Sequence, residues 1–351
     1  MKHYTLFTQN LDIGGVQKSV VNIANFLNKF YKVSIILAES NKKIAYKLNK
    51  KIKIIKIKTK KVDTTKKFIG LKLFKYRIKE LDKILKKIKP STVLSFEDYN
   101  NFILFYTKYK TIKVGSIRIS GDFYVNKKIH LLDEEFYKKN KKLYKKFKTI
   151  VVSKEVTKNI PNSKLIYNGI ENKKDLKNIH KNYILNVARL HPQKGQKDLI
   201  YAYKLISNKI DENLIIVGDG ILKQELMQLI KELKLEDRVK LVGFDNPYRY
   251  FKNAKLFVFP SYYEGFANAI LEAMKKNIPI IAYNFKGSEE ILEKRVALGD
   301  VNALADEIYE ALKNEKYKKE LLNQNRMVKR FSLHKTLREY KRVLDVWDSR
   351  K

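Results

Sequence analysis

The chain contains no cysteine, which excludes disulfides, thiolate metal sites and cysteine nucleophiles. Histidine is nearly as scarce. His3, His130, His180, His191 and His334 are the five in 351 residues, and no two stand at metal-ligand spacing. No apolar run reaches the ~18 residues of a membrane-spanning helix. The opening residues MKHYTLFTQN hold one lysine and then turn polar, with neither a long apolar core nor a small-residue cleavage site. The start therefore does not read as a signal peptide, and a cytoplasmic location is the expectation. Acidic residues are also few, 37 Asp+Glu against 75 Lys+Arg, for a formal charge of +38. Such a charge first suggests a nucleic-acid partner. Only 11 of the basic residues are arginine, however. Lysine is a diffuse point charge and not the forked donor that reads phosphates and bases. Lysine, asparagine, isoleucine and tyrosine are abundant along the whole chain, so part of the charge is compositional background.

The chain has an ample apolar fraction, 44% hydrophobic and 12% aromatic residues, too much for a disordered chain. At roughly 150 residues per domain the length suggests two domains. Short apolar runs alternate with helix-period segments. Tyr4–Thr8, Val33–Leu37, Val93–Phe96, Ile112–Ile117 and Thr149–Val152 read as buried strands. Tyr183–Val187, Leu214–Val217, Val239–Val242, Leu256–Phe259 and Pro279–Ala282 repeat the pattern. Amphipathic stretches lie between, such as Val16–Phe30, Lys72–Lys89, Gln196–Ile206 and Ile221–Leu233. The alternation predicts an α/β protein with parallel sheets covered by helices on both faces. Ten strands are too many for one sheet, and the pattern pauses over the polar stretch Asn168–Lys181. Domains of residues 1–172 and 173–332, followed by a terminal helical segment 333–351, are the expected division. The charge is lopsided across it: residues 1–180 carry 43 basic and 14 acidic side chains, the remainder 32 and 23.

Four segments carry candidate chemistry. Gly14-Gly15 stands between a strand and a helix, where backbone amides can approach an anion at a positive helix end; a plain turn explains it as well. Arg189-Leu190-His191-Pro192-Gln193-Lys194-Gly195 follows a strand directly, at the edge where parallel sheets place ligands. Its two cations suit a diphosphate, and a solvated loop is the competing reading. Val217-Gly218-Asp219-Gly220 follows another strand; it lacks a complete dinucleotide fingerprint, and Asp219 reads as a cap for the next helix. The sharpest segment runs from Pro260 through Ser261, Glu264, Gly265, Phe266, Ala267, Asn268 and Glu272 to Ala273. Eight residues at 3.6 per turn put Glu272 about two turns beyond Glu264, so both carboxylates are expected on one side, accepting from vicinal hydroxyls. The amides of Gly265 to Asn268 are expected to meet a phosphate or sugar at the helix start.

Six segments in this order, the Gly14-Gly15 loop, Tyr167–Glu171 (YNGIE), Ala188–Gly195 (ARLHPQKG), Val217–Gly220 (VGDG), Leu241–Phe244 (LVGF) and the run from Pro260 (PSYYEGFANAILEAM), resemble the retaining glycosyltransferases of family 4. The likeness runs through the C-terminal half into Asp300–Ala305 (DVNALA); in the N-terminal half it covers the first loop and the strand pattern. It implies the GT-B fold, two Rossmann-like domains with parallel sheets facing across a cleft, and a last helix, Leu333–Asp348 with Trp347, bracing the N-terminal domain. It further implies a nucleotide-diphospho-sugar donor, with a UDP-sugar expected, and transfer without a metal or other cofactor, in keeping with the lack of an Asp-x-Asp pair. Arg189 and Lys194 would neutralise the departing diphosphate. Glu264 would hold sugar hydroxyls, Glu272 the ribose, and Gly15 would offer an amide to the phosphate. Gly14, Gly218, Gly243, Gly265, Phe266, Ala267 and Asn268 complete the expected donor contacts. The leaving phosphate, not an enzyme carboxylate, would take the acceptor proton. Relatives place a histidine after the fifth strand. Here Ser116–Asp122 stands in its place, so Arg118 or Ser120 fills the position, with Asp122 close by.

The basic excess lies in the half expected to hold the acceptor. Lys72–Lys89 carries Leu73, Phe74, Ile78, Leu81, Ile84, Leu85 and Ile88 on one face and lysines on the other. It reads either as a helix on anionic lipid or as a helix packed on its sheet. Lys50–Lys61 reads as a strand with exposed lysines. The resulting expectation is a peripheral enzyme at the inner face of the plasma membrane, extending a lipid-linked or surface glycan in lipooligosaccharide or polysaccharide synthesis. Its expected partners are a nucleotide sugar, that acceptor and an anionic membrane, without nucleic acid. A transferase with a soluble sugar or sugar-phosphate acceptor shares every donor motif. A non-catalytic basic nucleic-acid-binding protein explains the charge and none of the six segments, and an inactive scaffold of the same fold conflicts with the presence of Arg189, Lys194, Glu264 and Glu272.

Overall fold

A computed structural model describes residues 2–12, 14–39, 44–58, 69–118, 132, 134–160, 162–171 and 183–349. Ser120, Asp122, the end of the Lys50–Lys61 run and most of the stretch Asn168–Lys181 lie outside the described residues. In chain order the first elements are β1 (His3–Thr8), α1 (Gly15–Leu27), β2 (Lys32–Leu37), β3 (Lys53–Lys56), α2 (Ile69–Ile88), β4 (Thr92–Phe96), α3 (Asp98–Tyr106) and β5 (Ile112–Ile117). They continue with α4 (Glu134–Lys141), β6 (Lys148–Val151), α5 (Lys154–Asn159) and β7 (Lys164–Leu165). Next come β8 (Tyr183–Val187), α6 (Gln196–Ile206), β9 (Asn213–Val217), α7 (Lys223–Glu232), β10 (Val239–Gly243), α8 (Tyr248–Phe251) and β11 (Ala254–Phe259). The chain ends with α9 (Asn268–Lys275), β12 (Ile280–Ala282), α10 (Val301–Lys313), α11 (Glu315–Asn323) and α12 (Leu333–Asp348). All ten apolar runs form strands, their ends shifted by no more than one or two residues.

Two compact units result, residues 1–169 with 333–351, and residues 170–332. In the first, the described strands form a parallel sheet of order β3-β2-β1-β4-β5-β6-β7. Leu6 of β1 stands opposite Ile35 of β2 on one side and Leu94 of β4 on the other. β1 and β4 are buried along their full length, as a sheet covered on both faces requires. Val20, Ile23 and Leu27 of α1 share one core with Tyr340 and Leu344 of α12. Phe74, Leu81 and Leu85 of α2 pack with Phe102 and Ile103 of α3 in another. This settles the double reading of Lys72–Lys89: its apolar face lies in the core, and the lysines Lys72, Lys75, Lys79, Lys83, Lys86 and Lys87 remain exposed. Among the described residues no helix is long and apolar enough to cross a membrane.

The helix α12 is fastened to the edge of the sheet where the strands begin. Asp345 accepts hydrogen bonds from Tyr4 Oη at 3.0 Å and Tyr31 Oη at 2.7 Å, and from Lys341 at 2.8 Å. Asp348 accepts from Thr92 at 3.2 Å and pairs with Lys2. The Trp347 carbonyl accepts from Lys148, whose ammonium also lies over the indole ring. At the other end of α12, a side chain at Gly169 would strike the Leu333 backbone at 2.5 Å. The YNGIE glycine therefore lets the chain pass close to the start of α12.

In the second unit the described strands form a parallel sheet of order β10-β9-β8-β11-β12. Its core joins Ile184, Leu214, Ile216, Leu256 and Val258 of the sheet to Leu199 and Tyr203 of α6 and Leu304 and Ile308 of α10. Asp300 caps α10 by accepting from the Ala303 amide at 2.9 Å. β8 is central, and β8 and β11 are neighbours, so the loops that leave their C-terminal ends meet side by side.

Candidate active site

After β8 the chain makes a tight turn over Pro192–Lys194, capped by the His191 imidazole, which accepts from the Gln193 amide at 3.2 Å. Gly195 then adopts φ 62 and opens α6. The left-handed backbone favours glycine, and a Cβ there would lie 2.0 Å from the Pro260 carbonyl oxygen. The lysine-bearing turn is thereby pressed against the loop after β11. The Gln193 carbonyl accepts from the Tyr262 amide at 2.8 Å. The Gln193 side-chain amide, buried, donates to the Tyr263 carbonyl at 2.6 Å.

These contacts bring Lys194 and Glu264 together. The Lys194 ammonium donates to Glu264 Oε1, and Ser261 Oγ donates to the same oxygen at 2.7 Å. Both charged side chains are largely buried, at 15% and 11% exposure, and Lys194 also lies 5.4 Å above the Phe259 ring. A cation and an anion held this close, with water mostly excluded, can meet a phosphate and a hydroxyl of one ligand. Arg189 is exposed on the same loop. Its positive charge acts on Tyr263, opposing the rise that burial and Glu264 impose on that phenol.

A second carboxylate fixes the loop from behind. Asp198 of α6 accepts from Tyr262 Oη at 2.5 Å and Tyr283 Oη at 2.9 Å. Burial and these bonds push the Tyr262 phenol up to about 12 and the Tyr283 phenol higher still. Both hydroxyls thus stay protonated donors across the neutral range.

The glycine loop after β9 is locked to the same turn. A Cβ at Gly218 would lie 1.9 Å from the Ala188 carbonyl oxygen. The Gly218 amide donates to the Gly243 carbonyl at 2.8 Å, and the Leu190 amide to the Asp219 carbonyl at 3.0 Å. Asp219 does not cap α7 as expected: its carboxylate accepts from the adjacent Gly220 amide at 2.8 Å, and α7 begins later, without a side-chain cap. Gly243 has φ 78 and open space around its Cα.

Beyond Glu264, the residues Gly265, Phe266 and Ala267 are buried and Asn268 starts α9. Phe266 packs edge-on against Phe331 at 5.3 Å. No side-chain hydrogen bond caps α9; the Asn268 and Ile270 amides donate to the Phe266 and Ala267 carbonyls, each at 3.1 Å. Helical spacing therefore applies only from Asn268 to Lys275, and Glu264 precedes it. The two carboxylates have separate partners, Glu264 with Lys194 and Ser261, Glu272 with the Tyr248 hydroxyl at 3.4 Å.

The remaining expected site residues belong to the first unit. Gly14 has an extended backbone, φ 168, and precedes α1 at Gly15. The Tyr46 hydroxyl lies 3.0 Å from both its amide nitrogen and its carbonyl oxygen. Arg118 follows β5, is 7% exposed, donates to Tyr340 Oη at 3.1 Å and stacks over Phe96 at 5.7 Å. It lines a small cavity with Ser19, Asn22, Asn168 and Thr336. Sequence reasoning took in Gln193, Ser261 and Tyr262 only as members of their segments, without a role, and passed over Asp198. The Ser-x-x-Glu spacing from Ser261 to Glu264 is a local signal that could have marked the serine.

Residues 169–328 match the family model described as glycosyl transferases group 1. The chain is 28% identical over 318 residues to an N-acetylgalactosamine-N,N'-diacetylbacillosaminyl-diphospho-undecaprenol 4-alpha-N-acetylgalactosaminyltransferase of Campylobacter jejuni, covering 83% of each chain. Among solved structures it superposes on a sucrose-phosphate synthase from Thermosynechococcus elongatus with TM-score 0.83 and 17% identity, covering both chains fully. It superposes on Staphylococcus aureus TarM, bound to Fondaparinux, alpha-GlcNAc-glycerol and UDP, with TM-score 0.79 and 16% identity over 99% of this chain and 100% of that one.

Proposed function

We propose, from the premise that this chain belongs to the glycosyl transferases group 1 family, that it transfers a sugar with retention from a UDP-sugar to a lipid-linked glycan at the inner face of the membrane. The observation that carries the reading is the buried Lys194–Glu264 pair at the adjoining ends of β8 and β11, beside the start of α9. Lys194 and Arg189 take the diphosphate at the positive start of α9. Glu264 accepts from the sugar hydroxyls and Glu272 from the ribose, with Gly218, Gly243 and Gly265 to Asn268 lining the donor. The bond from the sugar C1 to the phosphate oxygen breaks as the acceptor oxygen bonds to C1 on the same face. The acceptor proton passes to the departing phosphate oxygen. Lys194 and Arg189 neutralise the charge that develops there, so the reaction proceeds without a metal ion.

Support for the donor comes from the UDP bound to TarM, and for the acceptor from the undecaprenol-linked substrate in the name of the Campylobacter relative. Because the apolar face of α2 is committed to the core, attraction to anionic lipid rests on its exposed lysines, each worth up to about 1 kcal/mol near a bilayer.

The test is a panel of nucleotide sugars screened by thermal stabilisation, since a bound donor raises the melting temperature by linkage. UDP-sugars are expected to stabilise the chain and to support transfer to an undecaprenyl-diphosphate glycan in the presence of EDTA, with the product anomer matching the donor. Stabilisation by another nucleotide alone, or activity abolished by EDTA and restored by a divalent cation, overturns the corresponding part. Flotation with anionic liposomes at low salt is expected to carry the protein, and its absence returns the acceptor to the soluble class.

A further inference from the structure

The sheet of the first unit reverses its strand order between β1 and β4, and open parallel sheets receive ligands where such a reversal parts the loops at the strand ends. Phe7 pairs with Ser95 across these strands, so two residues later Gln9 and Glu97 leave the sheet side by side. The Gln9 side-chain amide donates to Glu39 Oε1 at 2.5 Å and Asn10 donates to Glu39 Oε2 at 3.3 Å. Glu97 has φ 72. Lys89, Lys234 and Asn277 share a positive φ, but each follows a helix, where a left-handed residue is ordinary. Glu97 stands between a strand and the start of a helix, held by its amide on the Ser116 carbonyl and its carbonyl on the Asn101 amide. A carboxylate kept in a conformation suited to glycine marks a site that uses that carboxylate.

Buried polar groups at the same end point to a ligand. Arg77 is 4% exposed, lies 5.3 Å above the Tyr99 ring, and leaves Nε and one terminal nitrogen without a partner among the described residues. Gln9, 6% exposed, likewise leaves its side-chain oxygen unpartnered. Tyr99 lies in the first turn of α3, two residues after Glu97, so the guanidinium over its ring stands at this same end of the sheet. A ligand that satisfies this set must both donate and accept hydrogen bonds. A phosphate only accepts, and it would face Glu39, Glu97 and the buried Asp98 with Arg77 and the Tyr340-bonded Arg118 as the opposing cations. Sugar hydroxyls donate to the carboxylates and to Gln9, while a hydroxyl or acylamino oxygen accepts from Arg77.

We propose that Gln9, Glu39, Arg77 and Glu97 form the subsite for the terminal sugar of the acceptor, which they hold by its hydroxyl and acylamino groups and not by its phosphate. This rests on the transferase reading for the identity of the ligand, and on the first unit alone for the site.

The experiment titrates the full chain with methyl N-acetyl-α-galactosaminide, inorganic phosphate and UDP in turn. Wild type is expected to bind the glycoside, and Glu97→Gln and Glu39→Gln to bind it at least tenfold more weakly with UDP affinity unchanged. Glu97→Gly is expected to melt at a higher temperature while losing the glycoside, a combination that a merely structural residue does not produce. No glycoside binding by wild type, unchanged affinity in both glutamine variants, a less stable Glu97→Gly, or displacement of the glycoside by phosphate each overturns the subsite. A chain that binds the glycoside as described yet transfers no sugar supports the subsite and overturns the transferase reading instead.

Discussion

In the second unit the loops after β8, β9 and β11 press backbone on backbone at glycines, whereas in the first the loops after β1 and β2 meet without a glycine, through backbone hydrogen bonds and the Glu39 side chain. Gly195 against Pro260, Gly218 against Ala188, and the Gln193 carbonyl on the Tyr262 amide leave the first set no room to shift. Glu39 gathers Gln9 and Asn10, and Asp98 is held by the Tyr144 hydroxyl. An approach too close for a Cβ demands glycine at a fixed place and so writes itself into a short string of sequence. Side-chain contact draws residues from distant segments and leaves no local pattern. The contrast explains why the loops of the second unit are legible in the sequence and those of the first are not.

The largest effect tests what the locked loops are for. Glu264→Gln and Lys194→Ala are each expected to lower the transfer rate by about 10²–10³, the usual loss when one preorganised charge is removed from a developing anion. Initial rates with the stabilising nucleotide sugar measure it. A variant that keeps wild-type turnover would detach the pair from the chemistry and leave the contrast purely architectural.

Next in size are the glycines. Gly195→Ala adds a side chain at φ 62 and 2.0 Å from a carbonyl oxygen, and Gly218→Ala one at 1.9 Å. Neither neighbour is a flexible side-chain end, so the sheet edges must part. A loss of about 2–4 kcal/mol in urea unfolding is expected for each. A loss under about 0.5 kcal/mol would mean that these loops give way as easily as those of the first unit.

This difference also explains what the sequence revealed. Buried parallel strands are continuous apolar runs, so YILNV and LFVF marked β8 and β11 nearly to the residue. β7, two residues long with no apolar run, left no such signal, and α3 begins with polar residues Asp98, Asn100 and Asn101 that are buried by tertiary contacts alone. At the site, Lys194 and Glu264 stood out because each sits in a glycine-bounded turn after a strand. Asp198, in the first turn of α6, gave no sign of the two tyrosines it receives, since Tyr262 and Tyr283 lie in other segments. Arg118 read as a candidate for the position after the fifth strand, and the Tyr340 contact made by its buried side chain comes from the far end of the chain.

A smaller effect concerns the first unit's own fastening. Burial alone would raise the Asp345 carboxyl, but its bonds to Lys341, Tyr31 and Tyr4 hold it below the usual range. A depressed folded pKa stabilises above the unfolded value near 4 and is lost as pH falls through the folded value. Asp345→Asn is expected to cost about 1–2 kcal/mol at neutral pH, as for hydrogen bonds to a charged group, and to lose less on acidification below about pH 4. Melting temperatures from pH 7 to 3 measure it. Parallel curves for the two proteins would remove Asp345 from the pH dependence.

The smallest effect separates two readings of one glycine. At φ 168 the Gly14 backbone suits any residue, and a Cβ there meets only the flexible end of Gln17. Nothing in the fold demands glycine, unlike at Gly195 and Gly218. Serine is a better residue than glycine to begin a helix, and it restricts the unfolded chain more. Gly14→Ser is therefore expected to change stability by no more than about 0.5 kcal/mol, in the stabilising direction. If it unfolds the first unit as readily as Gly195→Ala unfolds the second, the distinction between the two sets of loops fails. If it stabilises the protein and yet weakens binding of the nucleotide sugar, Gly14 is a glycine for the sake of the ligand, because the backbone alone would have accepted a side chain.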